Sequence, residues 1–433
     1  MIALLSALAW AASAAEAHDA ELYAAAKRAL VAAVDAFAAP DIATGIVDID
    51  NMAEAQPNYE TERPPVYARI FRQAYEATGS QQCLEYFCAI ADVLVAIKQP
   101  AGGYARPAYV KRVGAAETHE ARISFRNGRD LGAVTVILQA YDYTQDQKYL
   151  RSAVETADFL VEAQYECGAW PSEYPPPQGS WLAMPMLNDL VTITQTRNLM
   201  QVYEMTGDEK HLRAIERTGQ WLIDWQLPEP TPGWAQEYDW DRLPTWGRLF
   251  EPPAACSAPS CAAIGLLIDI HLLTGDDKYL SPIPAVVAWL DRARIGEHMW
   301  ARFYEPSTGR PVYFTSDNRT TYWLTYDDGD VPDHYAFKGN WGLDRYKARW
   351  ERLQEIGREA LAAEEAAEPS LAELRASVEA AEPTVRELIG PEGFIGRYPT
   401  QGGHVRKLAS SVSTVARYLV LVHKLEARTQ AQG

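Results

Sequence analysis

The sequence predicts an all-α protein, an incomplete α/α toroid of helical hairpins with long loops at one rim. Three observations support this prediction. Four similar segments recur along the chain, amphipathic helical periodicity flanks them, and an aromatic loop follows each hairpin. Each repeat therefore forms one helix–turn–helix unit, and such units stack around a common axis.

The repeated segment is a short turn that follows a threonine. Its period is about 65 residues, which is long enough for two helices and two connections. The glycine after the threonine suits a helix end, and the aspartate that follows suits the start of the next helix. The four threonines are Thr78, Thr144, Thr206 and Thr274.

The aromatic loops lie at the opposite end of the hairpins from these turns. They cover residues 102–107, 168–174, 233–238 and 298–304. Loops on a rigid scaffold are common places for functional residues, so this rim is the predicted site. The segment Trp234–Pro253 extends the third loop and contains three tryptophans, a tyrosine, four acids and two arginines.

That composition favours a site for an acidic sugar. Aromatic faces stack on sugar rings, and arginine pairs with carboxylates. The alternative is a surface loop that its own aromatic side chains hold in place.

The remaining segments predict a single domain over residues 18–433. Residues 1–17 indicate a secretory signal peptide, with an alanine-rich first helix as the alternative. Irregular structure is expected over 41–65, and loop with short strands over 307–340. Residues 341–433 form a helical extension, in which Pro383 marks the expected end of a charged helix.

The net charge and the cysteine spacing limit which ligands and partners the protein could bind. A net charge of −18 argues against nucleic acid, and no membrane partner is expected. The five cysteines have neither zinc-site nor disulfide-framework spacing. We expect a monomer that is secreted or periplasmic and acts on an acidic polysaccharide.

Four motifs in the rim loops resemble those of polysaccharide lyase family 10, the pectate lyases with an α/α toroid fold. They are Gly168–Pro171, Met186–Asp189, Trp234–Asp239 with Pro244–Pro252, and Trp300–Pro311. The resemblance covers about residues 85–320 and defines the expected lyase core. Two places depart from it: Arg126 stands where the family pattern has an aspartate, and Thr315–Asn318 replaces a glycine-containing segment.

The resemblance implies cleavage of a polyuronate such as pectate by β-elimination, with Arg248 as the catalytic residue. A base removes the C5 proton, and the enolate-like product needs nearby positive charge. A guanidinium loses its proton with difficulty, so either Arg248 is strongly perturbed or another base acts while Arg248 stabilises charge. Tyr238 and Lys111 are the fallback bases. A structural ion pair of Arg248 with Glu251 or Asp241 is the alternative.

The resemblance also implies Ca²⁺, with Asp189 and Asp130 as candidate ligands. Asp189 could instead be the N-cap of the helix that follows it. Arg126 could supply a fixed positive charge in place of the metal. The tryptophans could pack in the core instead of stacking on a sugar. Arg302 and Arg310 could form surface ion pairs instead of binding substrate carboxylates. The candidate substrate-binding residues are Arg126, Asn127, Trp170, Asn188, Trp234, Tyr238, Trp246, Arg302 and Arg310.

Two other functions remain open at this point. A glycoside hydrolase on the same fold needs two opposed acids, for which Glu173, Asp239 and Glu251 are candidates. A glycan-binding protein would keep the aromatic rim and lack the chemistry.

Overall fold

A computed structural model of the protein describes residues 19–38, 63–104, 122–126, 129–389 and 405–432. Helices dominate, and they form an incomplete α/α toroid, which confirms the predicted fold class. The proposed signal peptide, most of the expected irregular segment, Lys111 and Asn127 lie outside the described residues.

The four predicted hairpins are all present. They pair α2 (Arg63–Thr78) with α3 (Gln81–Ile97), α4 (Arg129–Thr144) with α5 (Gln147–Ala163), α6 (Val191–Thr206) with α7 (Glu209–Asp224), and α8 (Ser257–Thr274) with α9 (Ile283–Arg292). Helix α1 (Ala20–Ala38) precedes them, and α10 (Leu343–Ile356), α11 (Arg358–Ala366), α12 (Leu371–Ile389) and α13 (Val405–Gln432) follow.

The hairpin turns use the predicted chemistry. At the third turn the Thr206 hydroxyl donates to the carbonyl of Val202 at 2.8 Å. Gly207 has a left-handed φ of 65°, and the Asp208 side chain accepts a hydrogen bond from the backbone N–H of Lys210 at 3.0 Å. The turns at 144–148 and 274–278 share the threonine and aspartate bonds. At the second and third turns one helix therefore ends and the next begins within three residues, whereas a short 3-10 helix over Asp277–Leu280 comes before α9 in the fourth hairpin.

The helices form two layers. The first helices of the hairpins pack on one another in order from α2 to α8, and α8 then packs on α10. The second helices α3, α5 and α7 also pack in order, and α13 packs on α2. Helix α8 is long and apolar enough to cross a membrane by composition, a run that sequence reasoning missed, but 72% of it is buried inside the protein.

Short antiparallel strands join the loops at the rim. They are β1 (Ile123–Ser124), β2 (Glu173–Tyr174), β3 (Ala255–Cys256), β4 (Arg294–Gly296), β5 (Met299–Ala301), β6 (Phe303–Tyr304), β7 (Pro311–Thr315), β8 (Trp323–Thr325) and β9 (Lys338–Gly339). Strand order is β1-β2, β3-β6-β7-β8 and β4-β5-β9 in the three sheets. These pairings fix neighbouring loops relative to each other.

The prediction that Pro383 ends a helix is wrong, because α12 continues through it to Ile389. Proline removes one backbone donor from a helix and leaves a carbonyl without its partner. Both Pro383 and Glu379, which carries that carbonyl, are exposed, so water can satisfy the carbonyl.

Candidate functional site at the loop rim

Three tryptophans anchor the rim loops to the ends of the preceding helices. Trp170, Trp234 and Trp300 are fully buried. Each indole N–H donates to a backbone carbonyl ten or twelve residues earlier in the chain, and the acceptors are Leu160 at 2.9 Å, Leu222 at 2.9 Å and Leu290 at 2.6 Å. The predicted substrate contacts of Trp170 and Trp234 are therefore corrected: these side chains hold the scaffold and do not face a ligand.

A tyrosine completes the anchor in two of these loops. The buried Tyr238 hydroxyl donates to the carbonyl of Trp225 at 3.0 Å and accepts from the N–H of Ala235 at 2.8 Å. Tyr304 repeats the arrangement with Ala293. Burial raises the pKa of Tyr238, and no face of its ring is open, so its predicted substrate contact and its fallback role as base are corrected.

The loops bring Arg248 and Asp189 together although 59 residues separate them. The Nη2 of Arg248 lies 2.7 Å from Oδ2 of Asp189, and Nη1 lies 2.6 Å from Oε1 of Glu251. The backbone N–H of Arg248 also donates to Glu251, at 2.8 Å. The guanidinium lies over the Trp181 ring, 5.4 Å from its centroid, and 29% of the Arg248 side chain is exposed. Of the two ion-pair partners expected for Arg248, the structure places Glu251 there.

The charge on Arg248 is strongly stabilised. Burial alone lowers the pKa of its guanidinium, but the carboxylates of Glu251 and Asp189 outweigh burial and raise that pKa above its ordinary value. An arginine between two carboxylates holds its proton more tightly than a free one. This environment suits Arg248 to a fixed positive charge rather than to proton abstraction.

A buried pair of carboxyl groups lies behind Arg248. The amide of Asn188 donates to Glu237 at 2.5 Å and to Glu251 at 3.1 Å. Both glutamates are almost wholly buried, and burial, then the charge of Glu251, raises the pKa of Glu237 well above its usual range. A Cβ atom on Gly247 would lie 2.7 Å from an oxygen of each glutamate, so a larger residue there would have to displace these carboxyl groups.

Sequence reasoning did not single out Glu237 or give Asn188 this role. The available signal was position: Glu237 is the fourth residue of a loop that starts at Trp234 and ends at Tyr238. The equivalent residues Glu173 and Phe303 of the other two loops are also buried.

The backbone before α6 has an unusual conformation. Asp189 and Leu190 have left-handed φ angles of 48° and 59°. The N–H of Asp189 is bonded to Oδ1 of Asn188 at 2.8 Å. The cap residue of α6 is Leu190, without a side-chain cap, so the N-cap alternative for Asp189 is corrected.

A second cation lies near the first. The guanidinium carbon of Arg302 lies 4.7 Å from the ring centroid of Tyr335 and 4.4 Å from that of Trp341. Arg302 also donates to Gln236, at 3.4 Å. Asp189, Gln236, Arg302 and Tyr335 line one pocket of about 280 Å³.

A larger cavity of about 600 Å³ lies on the helices, around Arg197, Asp269 and Arg349. Its charges pair with each other: Asp269 bridges Arg197 at 3.2 Å and Arg349 at 2.6 Å. The smaller rim pocket is the better candidate site because it adjoins Arg248 and collects loop residues.

Three other predicted contacts, Arg126, Trp246 and Arg310, do not line this pocket. Arg126 is buried and forms an ion pair with Glu173 at 2.9 Å. The pair links the segment after β1 to β2, and the substrate contact of Arg126 stays a prediction. Trp246 is 48% exposed and adjoins Arg248 in sequence. Arg310 is exposed and stacks on Tyr326 at 3.7 Å, so both remain available to a ligand.

Ca²⁺ binding by Asp189 and Asp130 stays a prediction. Among the described residues no group of three or more His, Cys, Asp or Glu is arranged to hold a metal. The Oδ2 of Asp189 is paired with the Arg248 guanidinium. Asp130, the other predicted ligand, is described only as backbone of α4.

Comparisons with known proteins agree with this picture. Residues 98–189 match the family model of pectic acid lyase, which confirms the resemblance. A mutant of the family 10 polysaccharide lyase from Cellvibrio cellulosa, in complex with trigalacturonic acid, is 18% identical, with a TM-score of 0.50 over 66% of this chain and 96% of that one. The lyase from the same organism without the mutation is 18% identical, with a TM-score of 0.49 over 66% of this chain and 95% of that one.

A heparin-specific unsaturated glucuronyl hydrolase is 11% identical, with a TM-score of 0.42 over 94% of this chain and 98% of that one. No curated protein matches the sequence. The likeness to the Cellvibrio cellulosa mutant, at a TM-score of 0.50, supports the fold, and the family match adds support for a polysaccharide lyase.

Proposed function

We propose that the protein is a polysaccharide lyase that cleaves a polyuronate by β-elimination at the rim pocket. One observation carries the proposal: Arg248 is a fixed, partly exposed cation held between Asp189 and Glu251 beside a pocket that contains Arg302. Two guanidinium groups suit a ligand that repeats carboxylates along its chain.

In the proposed reaction a base removes the proton from C5, and the C4–O4 bond breaks to leave a C4–C5 double bond. The departing O4 oxygen takes up a proton and becomes a hydroxyl group of the released chain. Removal of that proton puts a second negative charge on the uronate carboxylate. A cation aimed at this carboxylate stabilises the charge more in the transition state than in the substrate. Arg248 supplies that cation in this proposal, since its guanidinium is paired with two carboxylates, and another group then acts as the base.

Calcium, export and the choice of uronate are parts of this proposal. Ca²⁺ would supply additional positive charge on the substrate carboxylates when bound. Nothing in the described site requires it, so a chelator tests it separately. Secretion or periplasmic location and the monomeric state stay predictions from the sequence.

The test follows product formation from polygalacturonate by near-ultraviolet absorbance, with and without a chelator. The wild type should give the unsaturated product. Arg248→Ala should lose activity by about 10²- to 10³-fold, the usual effect of removing one charge-stabilising group. Arg292→Ala removes an exposed arginine paired with Glu229 and should leave the rate unchanged. Full activity in Arg248→Ala would contradict the proposal.

The hydrolase alternative has weaker support in the structure. Glu173 is paired with Arg126, and Glu251 is fully buried. Asp239 accepts backbone hydrogen bonds from Asp241 and Leu243. A reducing-end assay distinguishes the classes: a hydrolase forms reducing ends without the double bond. Retention of the polymer without either product would indicate a glycan-binding protein.

A further inference from the structure

Tyr335 contacts Arg302, which lines the pocket, and reaches Arg248 beside it through Glu251. Its hydroxyl donates to Oε1 of Glu251 at 2.8 Å, the same oxygen that Arg248 contacts at 2.6 Å. Its ring lies against the guanidinium of Arg302. Tyr335 lies beyond both the residues that match the lyase family and the motifs that carry the resemblance.

Glu251 has a full set of donors. Its carboxylate accepts from the backbone N–H and Nη1 of Arg248, from Asn188 at 3.1 Å and from Tyr335. The group is wholly buried, so water cannot replace a missing donor without rearrangement. The position of the Arg248 guanidinium therefore depends on how Glu251 is held.

Tyr335 is itself held firmly. Its ring packs on Phe250 at 4.7 Å and on Phe337 at 5.1 Å between centroids. Burial, then the charge of Glu251, raises its pKa, so the hydroxyl keeps the proton that it donates. A rigid, protonated phenol is a suitable partner for a buried carboxylate.

We propose that Tyr335 is a positioning residue that orients both cations of the site, Arg248 through Glu251 and Arg302 through its ring. This inference rests on the proposed function for its kinetic consequences only. The hydroxyl and the ring do separate work, so two substitutions separate the effects.

Tyr335→Phe removes the hydroxyl and keeps the ring. The kcat should fall about tenfold, because a misplaced cation loses part of its transition-state stabilisation, while KM changes little. Tyr335→Leu removes the ring as well and should also raise KM, because Arg302 loses a stacking partner. Tyr322→Phe is the matched control: Tyr322 also packs on Phe250, but its hydroxyl bonds Arg319 and His334, and both constants should stay unchanged.

A second readout does not need activity. An arginine-specific dicarbonyl reagent, with peptide mass spectrometry, measures how fast Arg248 is modified. Arg248 should react several-fold faster in Tyr335→Phe than in the wild type and in Tyr322→Phe, as its clamp loosens. Equal rates of modification at equal thermal stability would overturn the inference. If Arg248 were modified faster in Tyr335→Phe but the wild type had no lyase activity, the proposed function would be overturned and the positioning role of Tyr335 would stand. Should Tyr335→Phe fail to fold, Glu251→Gln, which weakens the same clamp, must show the faster modification.

Discussion

The loop from Trp234 to Tyr238 and the loop from Trp300 to Tyr304 begin and end with the same anchored side chains. In both, the indole N–H bonds a helix carbonyl, and the tyrosine hydroxyl bonds a helix end and the N–H three residues before it. The residues between differ: Gln236 and Glu237 in one loop, Arg302 and Phe303 in the other. The repeated framework therefore holds both loops in place, and the differences in charge and polarity lie at the third and fourth positions.

The largest expected effect tests whether the two anchors are equivalent. Trp234→Ala and Trp300→Ala should each lower the free energy of unfolding by about 3–5 kcal/mol, since each leaves a buried cavity and an unpaired carbonyl. Urea denaturation measures both. Trp246→Ala, at a half-exposed tryptophan of the same segment, should cost far less. If Trp300→Ala lowered the free energy of unfolding much less than Trp234→Ala, the two anchors would not be equivalent.

Gly247 tests the buried pair that only the third loop has. In Gly247→Ala the new methyl group would meet oxygens of Glu237 and Glu251 at 2.7 Å. We expect a loss of about 1–3 kcal/mol in unfolding free energy, together with lower activity as Arg248 shifts. Gly329→Ala, in an exposed loop where the nearest atom lies at 3.3 Å, serves as the control. Unchanged stability and activity in Gly247→Ala would show that the two carboxyl groups can shift without affecting Arg248.

The third position distinguishes the loops by charge. Arg302→Gln gives the fourth loop the side chain that the third already has, and should raise KM about tenfold by removing one cation near an anionic ligand. Stability should change by about 1 kcal/mol or less, the usual size of an exposed cation–π contact. Initial rates at several polygalacturonate concentrations provide the measurement. An unchanged KM would remove Arg302 from the ligand contacts.

The fourth position distinguishes the loops by titration, and its effect is the smallest. Because the pKa of Glu237 is raised in the folded state, its contribution to stability is complete below the unfolded pKa of about 4.5 and is lost as pH rises through the folded pKa. Glu237→Gln stays neutral. Its melting temperature relative to the wild type should therefore increase with pH above that value, as measured by thermal denaturation across a pH series. A constant difference would contradict the raised pKa.

Local sequence was enough to predict the hairpins, and it failed where a role depends on distant partners. The turn at Thr206 and Asp208 is encoded within five residues, so its pattern could be read directly. Trp234 and Tyr238 were given to the ligand because aromatic composition does not show which rings are buried. Glu237 was missed because its meaning comes from Asn188, 49 residues earlier. The nearness of Arg248 and Asp189 followed from the family resemblance and not from spacing.

The two left-handed residues before α6 place a strained piece of backbone directly beside Arg248. Asp189 and Leu190 each hold a conformation that costs a non-glycine residue roughly 1–2 kcal/mol, and the Leu190 side chain stays 45% exposed. The hydrogen bond from the Asp189 N–H to Asn188 and the ion pair of Asp189 with Arg248 stabilise this conformation. A substitution that removes the Asp189 carboxylate would therefore be expected to loosen both the Arg248 guanidinium and the start of α6.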